Sequence, residues 1–411
     1  MRKMRDRVSQ YETNEDAMFS DLTAPAPDPL LGLMQTFRDD PSADKVDLGI
    51  GIYKDERGNA PVLATVKQAE NWLVETQRSK GYLSSAGNVD YNRLTRELIL
   101  GQDKGLLARS QTIQTPGGTG ALRIAGDFAR RLNPGCRVFL PDPTWANHQA
   151  LLTAAGLEVV RYPYYDIASA TLQFDQTIEA LRATRPGDLV LFHGCCHNPA
   201  GADPDPEQWA AIAEVLAQTG ATPFIDLAYL GFGDGLDQDA QGIRILAARL
   251  PEMLIASSYS KNFALYRERV GALTLLAKDE VAVARAHGHL LPVVRTNYSM
   301  PPDHGAAVVA HILGDATLRA AWEAEVAGMR GRINGMRAKL VAALDGRTTR
   351  DFGFLGKQRG MFALLGITPA DAERLRTEHH VHITSSGRVN VAGLTDGNVG
   401  HVANAIAAVC G

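Results

Sequence analysis

Four short apolar runs, each ending in glycine, polar or aromatic residues, constrain this chain more than any other feature. CRVFLPDPTW, LVLFHGCCHNP, TPFIDLAYLG and MLIASSYSK read as buried strands, and longer segments with apolar residues at helical spacing separate them. From about residue 111 this alternation predicts an α/β fold: a mostly parallel central sheet flanked by helices. Ligands of such sheets gather beyond the carboxyl ends of the strands, so chemistry is expected at the polar endings of these runs.

The C-terminal part changes character. LRAAWEAEVAGMRGRINGMRAKLVAAL (318–344) spaces its apolar residues for one long helix; GMFALLGI and GRVNVAGL follow as short strands and TDGNVGHVANAIAAVC as a last helix. The expected division is a large domain over 62–317 and a smaller α+β domain made from 18–61 and 318–411. Residues 1–17 are expected to be a disordered leader, with Met18 as an alternative start. The leader is basic, yet it carries Glu12, Glu15 and Asp16, which a transit peptide usually avoids.

With 411 residues, 45% of them hydrophobic and 21% charged, the chain has the length and composition of a globular enzyme. The net charge of −4 is not gathered into runs, so no footprint for nucleic acid or an anionic membrane is present. Neither a membrane-length apolar stretch nor an apolar signal region stands in the sequence. A cytoplasmic protein acting on small molecules is the expectation, and four cysteines, two of them adjacent, do not make a disulfide framework.

HGCCHNPAG (193–201) reads by composition like a metal site. Geometry argues against it: Cys195 and Cys196, neighbours on a strand, would point to opposite faces, and His193 and His197 at a strand end need not meet. No metal is expected.

Three other features carry the chemistry. Lys261 follows the apolar run MLIASSYS directly; a lysine held out of water has a lowered pKa and serves as a nucleophilic amine. Ser257, Ser258 and Ser260 beside it, with Arg269 eight residues on, suit a phosphate. In TPGGTGALR, Gly117, Gly118, Thr119 and Gly120 open a helix whose first N–H groups can face an anion. Arg123 stands at the third glycine position of the dinucleotide fingerprint, and no Gly-Lys-Ser/Thr follows, so neither nucleotide motif is present. Asp226 ends the run TPFID, where a buried carboxylate needs a cationic partner such as a protonated ring nitrogen. An amine, a phosphate cradle and a carboxylate for a pyridinium together are what pyridoxal 5′-phosphate requires.

On LGIGIYKDERG, TPGGTGALR, PDPTWANH, FHGCCHNPAG, FIDLAYLGF, SSYSKNFALYRERVG, VVRTNYSMPP and SGRVNVAGLT, the chain from about Phe19 onward resembles the class I aspartate and aromatic aminotransferases of fold type I. The resemblance implies that Lys261 holds the cofactor as a Schiff base and then acts as acid–base catalyst. Asp226 would pair with the ring nitrogen, Tyr229 and Asn198 would bond its phenolic oxygen, and Trp145 would stack on it. Gly118, Thr119, Ser258 and Arg269 would hold the phosphate, with Tyr82 reaching in from the other subunit of a homodimer. Arg388 would clamp the substrate α-carboxylate, assisted by Gly51 and Asn198, while Trp145 also faces the substrate. Arg295, crossing the dimer interface, would bind a distal carboxylate. His148 and His193 would stand behind the ring.

The implied reaction moves an amino group from an aromatic or dicarboxylic amino acid to 2-oxoglutarate in two half-reactions. Ala60 and Met300 stand where small polar residues are usual, and Gly81 where asparagine is usual, which leans the reading toward an aromatic or broad-specificity enzyme over a strictly aspartate-specific one. Two readings from other classes are a metal-dependent hydrolase built on His193, Cys195, Cys196 and His197, and a cofactor-binding protein without catalysis.

Overall fold

The computed structural model describes residues 19, 22–24 and 29–411, so the expected leader lies outside the described residues. Seven strands form the central sheet: β1 (Ser110–Pro116), β2 (Arg137–Asp142), β3 (Glu158–Pro163), β4 (Leu189–His193), β5 (Thr222–Leu227), β6 (Met253–Ser258) and β7 (Val270–Leu276). Their order is β1-β7-β6-β5-β4-β2-β3. The neighbours from β6 through β3 run parallel. β7 runs antiparallel to both β6 and β1, so the α/β expectation of a mostly parallel sheet holds with one reversed strand.

The sheet is apolar on both faces because successive side chains alternate between them. Leu191, Phe224 and Leu254 pack in one buried cluster with Leu122, Ala125 and Phe128 of the helix Gly117–Leu132. Phe192, Ile225 and Ile255, one residue further along each strand, enter the other cluster with Trp209 and Leu246. The long C-terminal helix runs over Ala316–Leu344, begun by the Asp315 carboxylate, which accepts the N–H groups of Thr317 and Leu318. No helix among the described residues is long and apolar enough to cross a membrane.

The N-terminal segment and the C-terminal strands close over the sheet's carboxyl edge. Val46–Asp47 pairs in parallel with Val381–His382, and Phe362–Leu364 pairs antiparallel with Arg388–Asn390. The Asp40 carboxylate ties this corner through His380 Nδ1 (3.0 Å) and His382 Nε2 (2.7 Å). Asn390 fixes the segment 48–52: its N–H donates to Leu48 O at 2.7 Å and its side-chain amide to Ile50 O and Ile52 O. This brings Ile50 and Gly51 to the same place as Arg388.

Candidate active site

Beyond the ends of β4, β5 and β6 lies a cavity of about 300 Å³. Gly51, Gly118, Thr119, Trp145, His193, Asn198, Asp226, Tyr229, Ser258, Lys261, Arg269 and Arg388 all line it. The elements explain the convergence. His193 and Asp226 are register partners at the ends of the parallel strands β4 and β5, and Ser258 ends β6, three residues before Lys261.

Lys261 is set against the Tyr229 ring, its Nζ 4.8 Å from the centroid. Burial lowers its pKa to about 8; Asp226 opposes that shift, while Arg269 and Arg388 add to it. Asp226 responds differently. Burial raises its pKa, but a 2.9 Å hydrogen bond from His148 Nε2, with the His148 and His193 imidazoles and Lys261 acting in the same direction, outweighs burial and holds it below the ordinary carboxylate value. Thr144 Oγ1 joins His148 Nδ1 (2.8 Å) to His193 Nε2 (3.1 Å). His193 is held down to about pH 3, by burial first and by His148 second, so it is neutral. An ionised Asp226 therefore faces the cavity, held from behind by the His148 hydrogen bond.

The phosphate side is a close-packed corner. Gly271 lies so near the turn before the helix Gly117–Leu132 that a Cβ there would be 2.3 Å from the carbonyl carbon of Gly117. Gly117 has φ +72°, and a Cβ on it would meet Arg269 Nη2 at 2.3 Å. Arg269 itself has φ +54°, a conformation that costs energy in a residue with a side chain. The arrangement sets its guanidinium beside the helix's first N–H groups, where an anion is favoured. Ser258 Oγ, 3.1 Å from Ser260 Oγ, completes the corner.

Arg388 occupies the opposite side, its guanidinium carbon 4.4 Å from the Phe362 ring centroid. Nη1 donates to Asn198 Oδ1 (3.3 Å) and Nη2 to Gly49 O (2.8 Å), while the buried Nε has no partner. Burial lowers its pKa. Two neutral acceptors and one unanswered N–H leave this cation short of a negative partner, which a carboxylate presented edge-on supplies. Asn198 also points Nδ2 at the Tyr229 hydroxyl, 3.5 Å away. Burial pushes the Tyr229 phenol well up, so it stays protonated and able to donate.

The donor set fits the expected cofactor: an amine that is half free base near pH 8, an ionised carboxylate for a ring cation, and a helix N-terminus with Arg269 and Ser258 for a phosphate. Tyr82, Arg295, Ala60, Gly81 and Met300 do not line this cavity. Tyr82 is 96% exposed, on a wider cleft of about 990 Å³ that Trp72, Asp303 and His311 also line and that lacks the lysine–carboxylate pair. Arg295 is exposed on the helix Glu280–Asn297, its Nη1 bonded among the described residues to Ser299 Oγ. His148 lies wholly buried behind Asp226.

Two geometric expectations for HGCCHNPAG are corrected. β4 ends at His193, and Cys196 adopts φ +53° because its N–H and that of His197 both donate to the Asp203 carboxylate, at 2.6 and 2.9 Å. The left-handed residue swings the two thiols to one side instead of opposite faces. The His193 and His197 rings do meet, with centroids 4.1 Å apart. Tyr266, Phe362 and Thr144 escaped the sequence reading. Tyr266 stands inside the lysine motif and Phe362 inside a predicted strand, but nothing in their spacing says that they face the site.

Residues 43–406 match the family described as aminotransferase class I and II. The aspartate aminotransferase of Escherichia coli (strain K12) is 49% identical over 395 residues, 95% of this chain and 100% of the relative. The aromatic-amino-acid aminotransferase of Pseudomonas aeruginosa is 47% identical over 387 residues, 93% of this chain and 96% of the relative. Among solved structures, the aromatic-amino-acid aminotransferase from Burkholderia pseudomallei, covalently bound to pyridoxal phosphate, superposes with a TM-score of 0.94 at 44% identity, covering 96% of this chain and 100% of that one.

Proposed function

Because the chain belongs to the class I and II aminotransferases, we propose that it moves the amino group of an aromatic or dicarboxylic amino acid to 2-oxoglutarate, with Lys261, Asp226 and Tyr229 as its catalytic groups. Pyridoxal 5′-phosphate is its cofactor. When bound, it supplies a carbonyl that condenses with amines and a ring that withdraws electrons from the amino acid Cα.

Gly118, Thr119, Ser258 and Arg269 would hold the phosphate, Trp145 would stack on the ring, and an ionised Asp226 would keep a proton on the ring nitrogen. Tyr229, a protonated phenol steadied by Asn198, would donate a hydrogen bond to the ring oxygen. Arg388, with Asn198 and Gly51 beside it, takes the α-carboxylate and so aims the Cα–H at Lys261. The lysine amine, lowered to about pH 8 by burial, takes that proton as free base and returns it as ammonium close to neutral pH. The reading is supported above all by the convergence of Lys261, Asp226 and an Arg388 with an unanswered N–H on one cavity.

Arg295 and Tyr82 belong to the same reading through a homodimer, in which each completes the partner's site; their exposure in the single chain supports this. The protein is read as cytoplasmic, without membrane or nucleic-acid partners. Relatives named for aromatic and for aspartate substrates both match over nearly the whole chain, so strict aspartate specificity is the competing reading. A half-reaction assay separates the two: tyrosine, phenylalanine and aspartate should each convert the loaded enzyme, and conversion by aspartate alone would establish the competing reading.

A further inference from the structure

The turn before Asn198 holds two thiols that amino transfer leaves unused. Cys195 and Cys196 are free and buried, and their sulfurs and a carboxylate oxygen of Asp239 lie within 4.8 Å of one another. Cys195 and Asp239 line a second cavity of about 390 Å³, distinct from the lysine cavity and walled also by Asp203, Trp209 and Arg359. Cys195 and Asp239 therefore have a route to solvent, with Cys196 directly behind them.

Behind Cys196 the packing is tight: a Cβ on Gly360 would be 2.3 Å from Cys196 Cβ. The Gly360 carbonyl accepts from Arg337, which is 3% exposed and whose Nε and Nη1 have no partner. A buried guanidinium with two unanswered nitrogens lacks an anion. The Cys196 thiol does not supply one in the bare protein: its pKa is pushed up to about 12, with Cys195 and Arg337 pulling against burial, Asp239 and Asp203.

The geometry points to a binding site for a thiophilic divalent cation, Cd²⁺ or Zn²⁺, ligated by Cys195 Sγ, Cys196 Sγ and the Asp239 carboxylate and entered from the second cavity. Thiolate and carboxylate donors are an established set for such ions. Asp239 Oδ2 accepts the N–H groups of Gly231 and Gly233 at 2.8 and 2.9 Å, while Oδ1 accepts those of Asp234 at 2.8 Å and Gly235 at a long 3.4 Å. Each oxygen thus already accepts two N–H groups, and the long Gly235 contact on Oδ1 is the one that the ion replaces. Binding forms two metal–sulfur bonds, breaks two S–H bonds and releases two protons through the cavity, with no change of oxidation state.

The ion also fixes the turn from which Asn198 reaches Arg388 and Tyr229. That consequence rests on the proposed amino transfer, whereas binding itself does not. Titration of the cofactor-loaded, full-length protein with Cd²⁺, followed by equilibrium dialysis and the ultraviolet sulfur-to-cadmium band, should give one ion per chain. Cys195→Ser or Cys196→Ser should weaken binding by at least about 100-fold, beyond the cost of losing a merely supporting group, and Cys136→Ser and Cys410→Ser should leave it unchanged. In the unmutated protein Cd²⁺ should shield Cys195 and Cys196 from alkylation, read by mass spectrometry, which keeps the test open if a variant misfolds. No band, a band that survives in the double serine variant, or protection confined to Cys410 overturns the proposal. A raised KM for amino acids in the metal-bound enzyme extends the account to Asn198; unchanged KM with intact binding removes that extension alone.

Discussion

The lysine cavity and the cleft beside Tyr82 are built on opposite plans. In the cavity a chain of polar groups on the same fold answer one another, Asp226 by His148, His148 by Thr144, Tyr229 by Asn198 and Asn198 by Arg388, and the groups left open, Lys261 and Arg388 Nε, are buried. In the cleft the aromatic groups stand open, with Tyr82 96% and Trp72 44% exposed, and Trp72 stacked on His311 at 3.9 Å. A site enclosed by one fold is preorganised, so its groups are expected to govern rate. Groups left in water gain fixed positions only when another surface covers them, so they are expected to govern selectivity and affinity.

Substitutions should break or sharpen that contrast in a set order. Lys261→Ala should lower transamination by at least about 10⁴-fold, the upper range for a positioned acid–base group, while cofactor still binds noncovalently; near-normal turnover would end the assignment. Asp226→Asn should cost about 10³-fold in kcat, since an amide cannot hold the charge that keeps a ring nitrogen protonated. Arg388→Lys should reduce kcat/KM by about 10²-fold for every amino acid, because an ammonium cannot replace a two-pronged fork. Arg295→Ala should bring a similar loss with dicarboxylates and leave tyrosine nearly untouched; equal losses with both would place Arg295 outside distal-carboxylate recognition.

A smaller effect is expected for Tyr82→Phe, about tenfold weaker cofactor retention, from the loss of one charge-assisted hydrogen bond. In mixed dimers, Lys261→Ala chains combined with Tyr82→Phe, Arg295→Ala chains should recover dicarboxylate turnover that neither homodimer has, since one of the two mixed sites is whole. The mildest test is by pH. In cofactor-free protein the Lys261 amine should gain reactivity toward aldehydes as pH rises through about 8, because burial disfavours its charged form. A midpoint in the ordinary lysine range would mean that the cavity does not desolvate it.

Most of the enclosed site was legible because strand endings are local signals. Asp226 and Lys261 each follow a recognisable apolar run, Gly117, Gly118 and Gly120 open a helical pattern, and the sheet places all three on one edge. What was hidden depends on backbone angles and distant partners. The reversal of β7 leaves no mark in VGALTLL, whose residues are buried whichever way the strand runs. The thiols of Cys195 and Cys196 converge because Asp203, seven residues beyond Cys196, bends the turn into a left-handed residue. Phe362 faces Arg388 only because Phe362–Leu364 pairs with the strand that Arg388 opens. Exposed Tyr82 and Arg295 were read through family resemblance, since neither spacing nor burial in one chain marks an exposed residue as functional.

In the proposed enzyme the cofactor is joined to Lys261 inside the enclosed cavity. Borohydride reduction of the loaded, full-length protein, followed by digestion and mass spectrometry, tests it most directly. The account predicts a single pyridoxyl group on the peptide containing Lys261, and its absence when reduction follows addition of excess aspartate or tyrosine without an oxoacid. A label on any other lysine, or a Lys261 label indifferent to both amino acids, would contradict it.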